Sequence, residues 1–361
     1  MPTIEVLLPI KNALPYLPEA IDSVFAQTFQ DWRLSILDHG STDGSLEIAQ
    51  RYAEKDRRVH VASNPGARGL AGLLNFGLER ADARLVLRQD GDDISRPDRF
   101  QVVVDTFDRQ SDLLVLGAEA TVIDKSGQEI GYMRLPGTPA AVASASFFYN
   151  PIAHPTAAID LLKLRRYGGW YGIDMLRVLP TDQSLEVLSL AEDYFFFGQL
   201  AQLGSCANIK RPLIKYRYHS QSESVLKRDA QNACAVSISR FLAASFAALK
   251  GVELFDPAPF CSHAENIFDC GLSDYSAEFN RMARSLREGL CWSPELAREL
   301  AFRCVLANRN SIVMFARYFN FALAHGLHSG EWRVVRNWIG RLVDSKHITR
   351  VDERISRLPQ F

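Results

Sequence analysis

The first part of the chain alternates between short apolar runs and segments whose apolar residues recur at helical spacing. This order of strand and helix predicts a parallel sheet with right-handed crossovers. Ligands of such sheets bind outside the carboxyl ends of the strands. The predicted strands are residues 4–10, 32–37, 59–62, 85–87 and 113–117, and the predicted helices are residues 15–27, a segment beginning near 45, 69–80 and 97–109.

An acidic stretch, Arg88-Gln89-Asp90-Gly91-Asp92-Asp93, follows the fourth predicted strand directly. Three carboxylates in four residues repel one another and resist burial, so they need water or a cation. Mg²⁺ and Mn²⁺ bind carboxylates together with the phosphate oxygens of a substrate. A solvated, inert loop is the alternative, but Asp38 ends the second strand in the same way. We therefore expect two acidic loops at one edge of the sheet.

Beyond residue 117, the pattern predicts a hairpin around Asp124-Lys125-Ser126-Gly127, strands at 157–159 and 213–218, and a helix over 195–203. Residues 173–189 have no interpretable pattern. After Ser224 the strand alternation ends, and alanine, leucine, arginine and phenylalanine recur at helical spacing. We place a domain boundary near 222–230. It separates a domain of residues 1–224 from a helical domain of four to six helices over residues 225–361.

Composition narrows the class of protein. The chain has 361 residues, 47% of them apolar and 23% charged, which suits a soluble protein of two domains. A formal charge of −1 gives no general attraction to nucleic acid. The six cysteines are scattered through the second half without a Cys-x-x-Cys pair, which favours a reducing compartment. With no signal peptide pattern and no long apolar run, we expect a cytoplasmic protein without a membrane span.

Several short motifs occur in a fixed order over residues 4 to about 220. They are Leu8-Pro9-Ile10-Lys11-Asn12, Ala20-Ile21-Asp22-Ser23-Val24 with Gln27-Thr28, Asp38 through Ser45, Leu74-Asn75-x-Gly77, the acidic stretch, Pro97-x-Arg99-Phe100, Asn150-Pro151-x-x-His154, Glu192-Asp193 and Tyr216-Arg217-x-His219. In this order and spacing, the motifs resemble those of family 2 glycosyltransferases with the GT-A fold. The C-terminal helical region lies outside the resemblance.

The resemblance implies an α/β GT-A fold, with a mostly parallel sheet and a C-terminal helical appendage. It implies an inverting enzyme that transfers a sugar from a nucleotide-diphosphate donor to a hydroxyl of a glycan or lipid-linked acceptor. The acidic stretch would then be the site for Mn²⁺ or Mg²⁺ and the diphosphate. Asp92 would bind the metal, Asp90 the metal shell or the ribose, and Asp93 the sugar or a residue that supports the site. His219 would lie near the metal or diphosphate, or pack as a core histidine.

The same resemblance assigns the remaining donor contacts. Asp38 would accept a hydrogen bond from the nucleobase, Pro9 and Asn12 would shape the base pocket, and Asn75 would bind the donor. Arg88 would orient the carboxylates of the acidic stretch, unless it is a surface arginine. The expected donor is a UDP- or dTDP-sugar, with a UDP-sugar favoured. Family members often have an acidic residue or asparagine after Asp38, and His39 at this position puts the identity of the base in doubt.

Asp193 is the candidate catalytic base, because the acceptor hydroxyl must lose a proton as it attacks the anomeric carbon. An aspartate in the first turn of a helix is also a common cap. Glu192 would position the sugar or cap the helix. His154 would contact the acceptor side or the sheet floor, and Trp170 would stack on a sugar face or belong to the core.

Other functions remain open at this stage. A transferase with a protein or small-molecule acceptor would have the same motifs. A nucleotidyltransferase would need a basic, glycine-rich phosphate loop, but residues 7–13 contain only Lys11 and no glycine. A non-catalytic module would have no need of Asp92 and Asp193. Near the C-terminus, an apolar stripe at helical spacing would contact an anionic membrane peripherally or pack on its own domain. It consists of Trp332, Val335, Ile339 and Leu342, with Arg333, Arg336 and Arg341 beside it.

Overall fold

The computed structural model of the protein describes residues 1–218, 228–262, 274–326 and 329–341. The chain divides into two compact units. The first comprises Met1–Val142, Pro151–Met175 and Glu186–Leu226, and the second Ala143–Asn150, Leu176–Leu185 and Lys227–Phe361. Two short segments that precede the predicted boundary therefore group with the C-terminal helices, and no sequence pattern indicates this.

The first unit is built on a mixed sheet. Within the described residues its strands lie in the order β3-β2-β1-β4-β8-β6-β9-β5, and β7 pairs with β6. Strands β1 to β4 are parallel to one another, as the alternating pattern predicts. The strands are β1 Ile4–Ile10, β2 Trp32–Asp38, β3 Val59–Ser63, β4 Leu85–Arg88, β5 Ile94–Ser95, β6 Leu113–Ile123, β7 Glu129–Met133, β8 Ala158–Asp160 and β9 Ser205–Arg217.

Helices connect these strands and cover both faces of the sheet. Leu7 of β1 packs into one apolar cluster, whereas Val6 and Leu8 pack into another. The continuous apolar run of β1 is therefore explained, because a central strand covered on both faces has no polar side. The helices of this unit are α1 Leu17–Phe25, α2 Ser45–Lys55, α3 Gly69–Arg80, α4 Arg99–Arg109, α5 Pro139–Ala145, α6 Leu161–Arg166 and α7 Glu192–Leu203, of which α5 continues into the second unit.

Two details of the sheet differ from the sequence prediction. Strand β6 runs without a break through residues 118–120, where we expected a strand to end. Glu119 is buried there, but Lys210 pairs with its carboxylate and the Tyr132 hydroxyl donates to it, so the strand continues. Strand β8 lies antiparallel between β4 and β6, so the fifth predicted strand does not extend the parallel set directly.

The described part of the second unit contains helices and no strands. They are α8 Arg228–Lys250, α9 Ser276–Gly289, α10 Pro294–Val305, α11 Ser311–His325 and α12 Ser329–Arg341. Val335 of α12 is fully buried in an apolar cluster with Phe302, Met314 and Phe321, and Ile339 packs against it. Val335 and Ile339 of the stripe thus pack on their own domain, whereas Trp332 is 38% exposed and Leu342 lies outside the described residues.

Helix α8 is the one described helix long and apolar enough, by composition alone, to cross a membrane. An apolar 18-residue stretch within Asp229–Lys250 is 61% buried in the protein. Phe241, Leu242 and Phe246 all have at most 1% exposed surface. That burial is typical of a core helix.

Candidate functional site

The candidate site lies at the edge of the sheet where three neighbouring parallel strands end. Strand β1 lies between β2 and β4, with Ile10 paired to Asp38 and Leu7 paired to Arg88. The carboxyl ends of these strands bring the β2–α2 loop and the acidic stretch to one edge, which we call the rim. The structure therefore brings together the two acidic loops that the sequence predicts there.

Asp38 and Asn12 organise the loops on one side of the rim. The Asp38 carboxylate accepts hydrogen bonds from Gly40 N (3.0 Å), Ser41 N (3.0 Å) and Ser63 Oγ (2.9 Å). Burial favours a higher pKa for Asp38, but these hydrogen bonds outweigh it and lower the pKa. The Asn12 amide oxygen accepts from Thr42 N at 2.8 Å. With 1% exposure, Asp38 shapes its loop, and its contact with a nucleobase stays a prediction.

Arg88 is held in a buried position behind the acidic stretch. Its side chain is 2% exposed, and Nη2 donates to Asp90 Oδ1 at 2.6 Å. Nη1 donates to the carbonyls of Leu7 and Gln89, and Nε donates to His154 Nε2 at 3.0 Å. Arg88 is thus no surface arginine. It orients the Asp90 carboxylate through a charge-assisted hydrogen bond, as we expected.

Asp93 is enclosed, unlike Asp90 and Asp92. It is fully buried, Oδ1 accepts from Arg217 N at 2.8 Å, and Oδ2 has no hydrogen-bond partner among the described residues. Burial raises the pKa of Asp93 well above its usual range, and the charges of Asp90 and Asp92 raise it further. The carboxylates of the acidic stretch therefore repel one another, although Arg88 pairs with Asp90.

Arg217 fixes the backbone of the acidic stretch from β9. Its side chain is 2% exposed, Nε donates to the Asp92 carbonyl at 2.9 Å, and Nη2 donates to Glu19 Oε2 at 2.6 Å. Its guanidinium also lies 4.5 Å from the centre of the Tyr16 ring. Arg217 therefore connects the acidic stretch to α1 and to the loop before it.

The buried side chains of Gln89 and Arg99 hold the backbone of the acidic stretch in place through hydrogen bonds. The buried Gln89 amide donates to the Asp93 carbonyl at 2.8 Å and accepts from Arg99 Nη1 at 2.9 Å. Arg99 Nη2 donates to the carbonyls of Arg88 (2.7 Å) and Pro155 (3.0 Å). Such a network of buried hydrogen bonds gives the acidic stretch a single conformation.

His154 is buried between Arg88 and Tyr171. Burial and the nearby Arg88 charge lower the pKa of His154 well below its usual range, so the imidazole is neutral at pH 7. Because an arginine N–H can only donate, His154 Nε2 accepts, and the proton lies on Nδ1. The Tyr171 hydroxyl lies 3.1 Å from the same nitrogen. His154 is therefore part of the floor of the site, the second of its two expected locations.

Tyr171 extends this network toward α7. Its backbone N–H donates to the Asn75 amide oxygen (2.8 Å), and its carbonyl accepts from the Asn75 amide nitrogen (3.0 Å). Its ring stacks on Phe196 of α7, with ring centres 3.9 Å apart. Asn75 thus acts here as a clamp on the Tyr171 backbone, and its contact with a donor stays a prediction.

Asp193 lies in the first turn of α7, three residues before Phe196. Burial raises the pKa of Asp193 to about 6, against hydrogen bonds from the backbone that lower it. The charge of Asp90 raises this pKa and that of Arg88 lowers it. Contacts link α7 to the acidic stretch, because Phe196 stacks on Tyr171, whose hydroxyl lies beside His154, and His154 accepts from Arg88. Three residues before Asp193, Leu190 has φ of 77°, a strained conformation of the kind that clusters at active sites.

The remaining candidates are less closely joined to this site. Glu192 begins α7 and is 6% exposed. Pro9 pairs with Leu37 near the end of β1. Trp170 packs against the apolar core of the first unit, so its described contacts are those of a core aromatic. His219 lies outside the described residues.

Comparison with known proteins identifies the region that carries these residues. Residues 5–150 match the family model described as glycosyl transferase family 2. The chain carries a family 2 glycosyltransferase domain. Asp38, Asn75 and the acidic stretch all fall inside the matched residues, whereas Asp193 and Arg217 follow them.

Relatives of this glycosyltransferase extend the similarity beyond residue 150. An uncharacterized glycosyltransferase from Haemophilus influenzae is 27% identical over 247 residues, which are 66% of this chain and 72% of the relative. The O-antigen biosynthesis glycosyltransferase WbnJ from Escherichia coli is 26% identical over 250 residues, which are 66% of this chain and 89% of WbnJ. The similarity thus extends over about two thirds of the chain.

A solved structure supports the fold of the glycosyltransferase. S. aureus TarS 1–349, in complex with UDP-GlcNAc, superposes with a TM-score of 0.55 at 15% identity, over 90% of this chain and 93% of TarS 1–349. The predicted α/β class and GT-A architecture are thereby confirmed.

Sequence reasoning missed how much of the site depends on buried arginines. Arg99 and Arg217 appeared only as members of motifs, yet both are fully buried against the acidic stretch. In the sequence, Arg99 lies close to a proline and Arg217 lies at a strand end. Surface arginines are equally common at such positions, so burial could not be predicted. Tyr171, which connects His154 to α7, is not among the predicted site residues.

Proposed function

We propose that this family 2 glycosyltransferase is an inverting enzyme that transfers a sugar from a nucleotide-diphosphate donor to a hydroxyl of a glycan or lipid-linked acceptor. The observation that carries the proposal is the series of contacts that joins α7, which bears Asp193, to Asp90 of the acidic stretch through Tyr171, His154 and Arg88. A partly exposed carboxylate with a raised pKa suits a general base, and the acidic stretch suits the metal-bound diphosphate.

Asp193 would accept the proton of the acceptor hydroxyl while the hydroxyl oxygen attacks the anomeric carbon. The bond from that carbon to the diphosphate oxygen breaks in the same step, and the nucleoside diphosphate leaves with the electron pair. A single in-line displacement of this kind inverts the anomeric configuration. Because burial raises its pKa to about 6, Asp193 is ionised at pH 7 yet remains a better proton acceptor than an ordinary aspartate.

Asp92 and Asp90 would hold Mn²⁺ or Mg²⁺. The described residues contain no group of three acidic, histidine or cysteine side chains placed for a metal. Mg²⁺ commonly binds one or two carboxylates and completes its shell with substrate phosphates and water, so two carboxylates fit. A bound cation would relieve the repulsion from Asp90 and Asp92 that, together with burial, raises the pKa of Asp93. When bound, the cation would stabilise the charge that develops on the leaving diphosphate.

UDP-sugars are the first donors to test, since TarS, which shares the fold, was solved with UDP-GlcNAc. WbnJ is named for O-antigen biosynthesis, and on that basis we propose a role in cell-surface polysaccharide synthesis, in the cytoplasm at the inner face of the membrane. A thermal-shift screen of UDP-, dTDP- and GDP-sugars with and without Mn²⁺ tests the donor. Absence of a response to all three classes would overturn the donor assignment.

The Asp193→Asn variant separates binding from transfer. Asparagine keeps the oxygen that accepts from Tyr194 N at 2.8 Å but cannot take a proton. We expect donor binding close to that of the unsubstituted protein and a loss of transfer of about 100-fold or more. The control is Glu54→Gln, which replaces an exposed carboxylate on α2 and should change neither donor binding nor sugar transfer. Retained transfer in Asp193→Asn would remove Asp193 as the base.

A further inference from the structure

Helix α11 presents an apolar stripe to solvent. Ile312 is 78% exposed, Phe315 52%, Phe319 56% and Leu323 73%. At 100° per residue these four side chains fall within roughly 80° of the helix circumference. The opposite side of the same helix carries Met314, which is fully buried in the apolar cluster of the second unit. The helix is therefore apolar on two faces, and its packing explains only one of them.

Trp332 of α12 extends this surface. Its ring centre lies 6.5 Å from that of Phe315 and 5.4 Å from that of Tyr318, on which it stacks. Tryptophan is enriched where proteins meet the membrane–water boundary, because its ring is apolar and its N–H is polar. We call Ile312, Phe315, Phe319, Leu323 and Trp332 the α11 surface.

The charge around the α11 surface is positive. Residues 311–341 contain four arginines against a single glutamate, a net +3 in a chain whose formal charge is −1. Arg333 and Arg336 are both exposed on α12. Arg333 directly follows Trp332, and Arg336 lies about one helical turn after Trp332. The glutamate, Glu331, is largely buried and pairs with Arg298 at 2.8 Å. No acidic side chain lies on the described exposed face of α11.

From these observations we propose that the α11 surface binds an anionic membrane peripherally. The apolar side chains would enter the boundary between headgroups and acyl chains, and Arg333 and Arg336 would contact the lipid phosphates. Positive charge beside an exposed apolar stripe fits a negatively charged lipid surface, whereas two copies of this face would bring like charges together. The proposal does not depend on the glycosyltransferase activity, because lipid binding and transfer are measured separately.

Co-sedimentation of the full chain with vesicles tests the proposal. The vesicles contain either phosphatidylcholine alone or equimolar phosphatidylcholine and phosphatidylglycerol. We expect binding to the anionic vesicles that weakens with added salt, and little binding to phosphatidylcholine. Absence of binding to the anionic vesicles at low salt would overturn the proposal.

Two variants separate the apolar from the electrostatic contribution. Phe315→Ser with Phe319→Ser should weaken binding by more than about tenfold at unchanged thermal stability, because both rings are exposed. Arg333→Gln with Arg336→Gln should weaken binding by about 25-fold, at roughly fivefold for each arginine, and reduce its salt dependence. The control is Leu254→Ser, since Leu254 is 55% exposed but lies outside the α11 surface.

Light scattering distinguishes a second copy of the chain from a membrane. If the phenylalanine variant binds vesicles as well as the unsubstituted protein, the proposal is wrong. If light scattering then shows that the same variant converts a dimer into a monomer, a second copy of the chain covers the α11 surface in place of a membrane.

Discussion

Replacing His154 with leucine tests the buried floor of the site. His154 Nε2 accepts from Arg88 Nε at 3.0 Å and lies 3.1 Å from the Tyr171 hydroxyl. Leucine has a similar size but no acceptor. The substitution would leave an N–H of a buried, charged arginine without its partner, while the other Arg88 contacts remain. We therefore expect the substitution to lower the stability of the first unit and to loosen the orientation of the Asp90 carboxylate.

The free energy can be worked from these contacts. A hydrogen bond to a charged group contributes about 1.5–3 kcal/mol, and the contact with the tyrosine hydroxyl about 1 kcal/mol. Burying a leucine in place of a neutral imidazole recovers about 1 kcal/mol. The expected net loss in the free energy of unfolding is therefore about 2 kcal/mol. For a unit of this size it corresponds to a decrease in Tm of about 4–8 °C.

Urea unfolding and donor kinetics measure the two consequences. We expect His154→Leu to lose about 2 kcal/mol and to lower kcat/KM, because Arg88 without its His154 contact orients the Asp90 carboxylate less firmly. His154→Gln, which retains an acceptor, should recover part of both losses. The control, His60→Leu, changes an exposed histidine on β3 and should stay within about 0.5 kcal/mol. A His154→Leu variant with unchanged stability and unchanged kcat/KM would refute this account of the floor.

The pH dependence of stability gives an independent check. The folded protein holds His154 neutral, with its pKa well below 6.5, whereas the unfolded chain binds a proton near pH 6.5. The unfolded state thus binds more protons below pH 6.5, and His154 lowers stability as the pH falls, by up to about 1.4 kcal/mol per pH unit. His154→Leu removes this dependence. The difference in the free energy of unfolding between the unsubstituted protein and His154→Leu should therefore decrease as the pH falls from 6.5 to 5.

Three further predictions concern the rim. Arg217→Met removes the bonds to the Asp92 carbonyl and to Glu19, and we expect urea unfolding to show a loss of about 2–4 kcal/mol, with weaker Mn²⁺-dependent donor binding in titration calorimetry. Asn75→Leu leaves the Tyr171 N–H and carbonyl without their partners and should cost about 1–3 kcal/mol by the same measurement. Because Asp193 must be ionised to act as a base, kcat/KM should fall with decreasing pH below about 6, and a flat profile between pH 5 and pH 7 would contradict its role.

Much of the fold follows from local patterns in the sequence. The alternating runs predict β1 to β4 and the helices between them, because each element buries its own apolar residues. The antiparallel β8 could not be placed, since its partners, β4 and β6, are distant in sequence. The continuity of β6 depends on Lys210 and Tyr132, which neutralise and hydrogen-bond a buried glutamate. Neither partner can be recognised from the strand itself.

The sequence predicts which residues lie at the site, but it does not predict which atoms their side chains contact. Strand ends indicate which loops share the rim, and repulsion between carboxylates indicates a cation there. The sequence could not reveal that Asp38 turns its oxygens into its own loop, or that Asn75 clamps a backbone 96 residues away. Such contacts depend on the side-chain conformations that packing selects.

The central claim is that the acidic stretch binds a divalent cation together with a nucleoside diphosphate. Titration calorimetry of UDP, with and without Mn²⁺, tests it most directly in the unsubstituted protein, in Asp92→Asn and in the control Asp108→Asn, which changes an exposed aspartate on α4. We predict that Mn²⁺ strengthens UDP binding by about tenfold or more in the unsubstituted protein and the control, and has no effect in Asp92→Asn. Equal strengthening by Mn²⁺ in Asp92→Asn would contradict the claim.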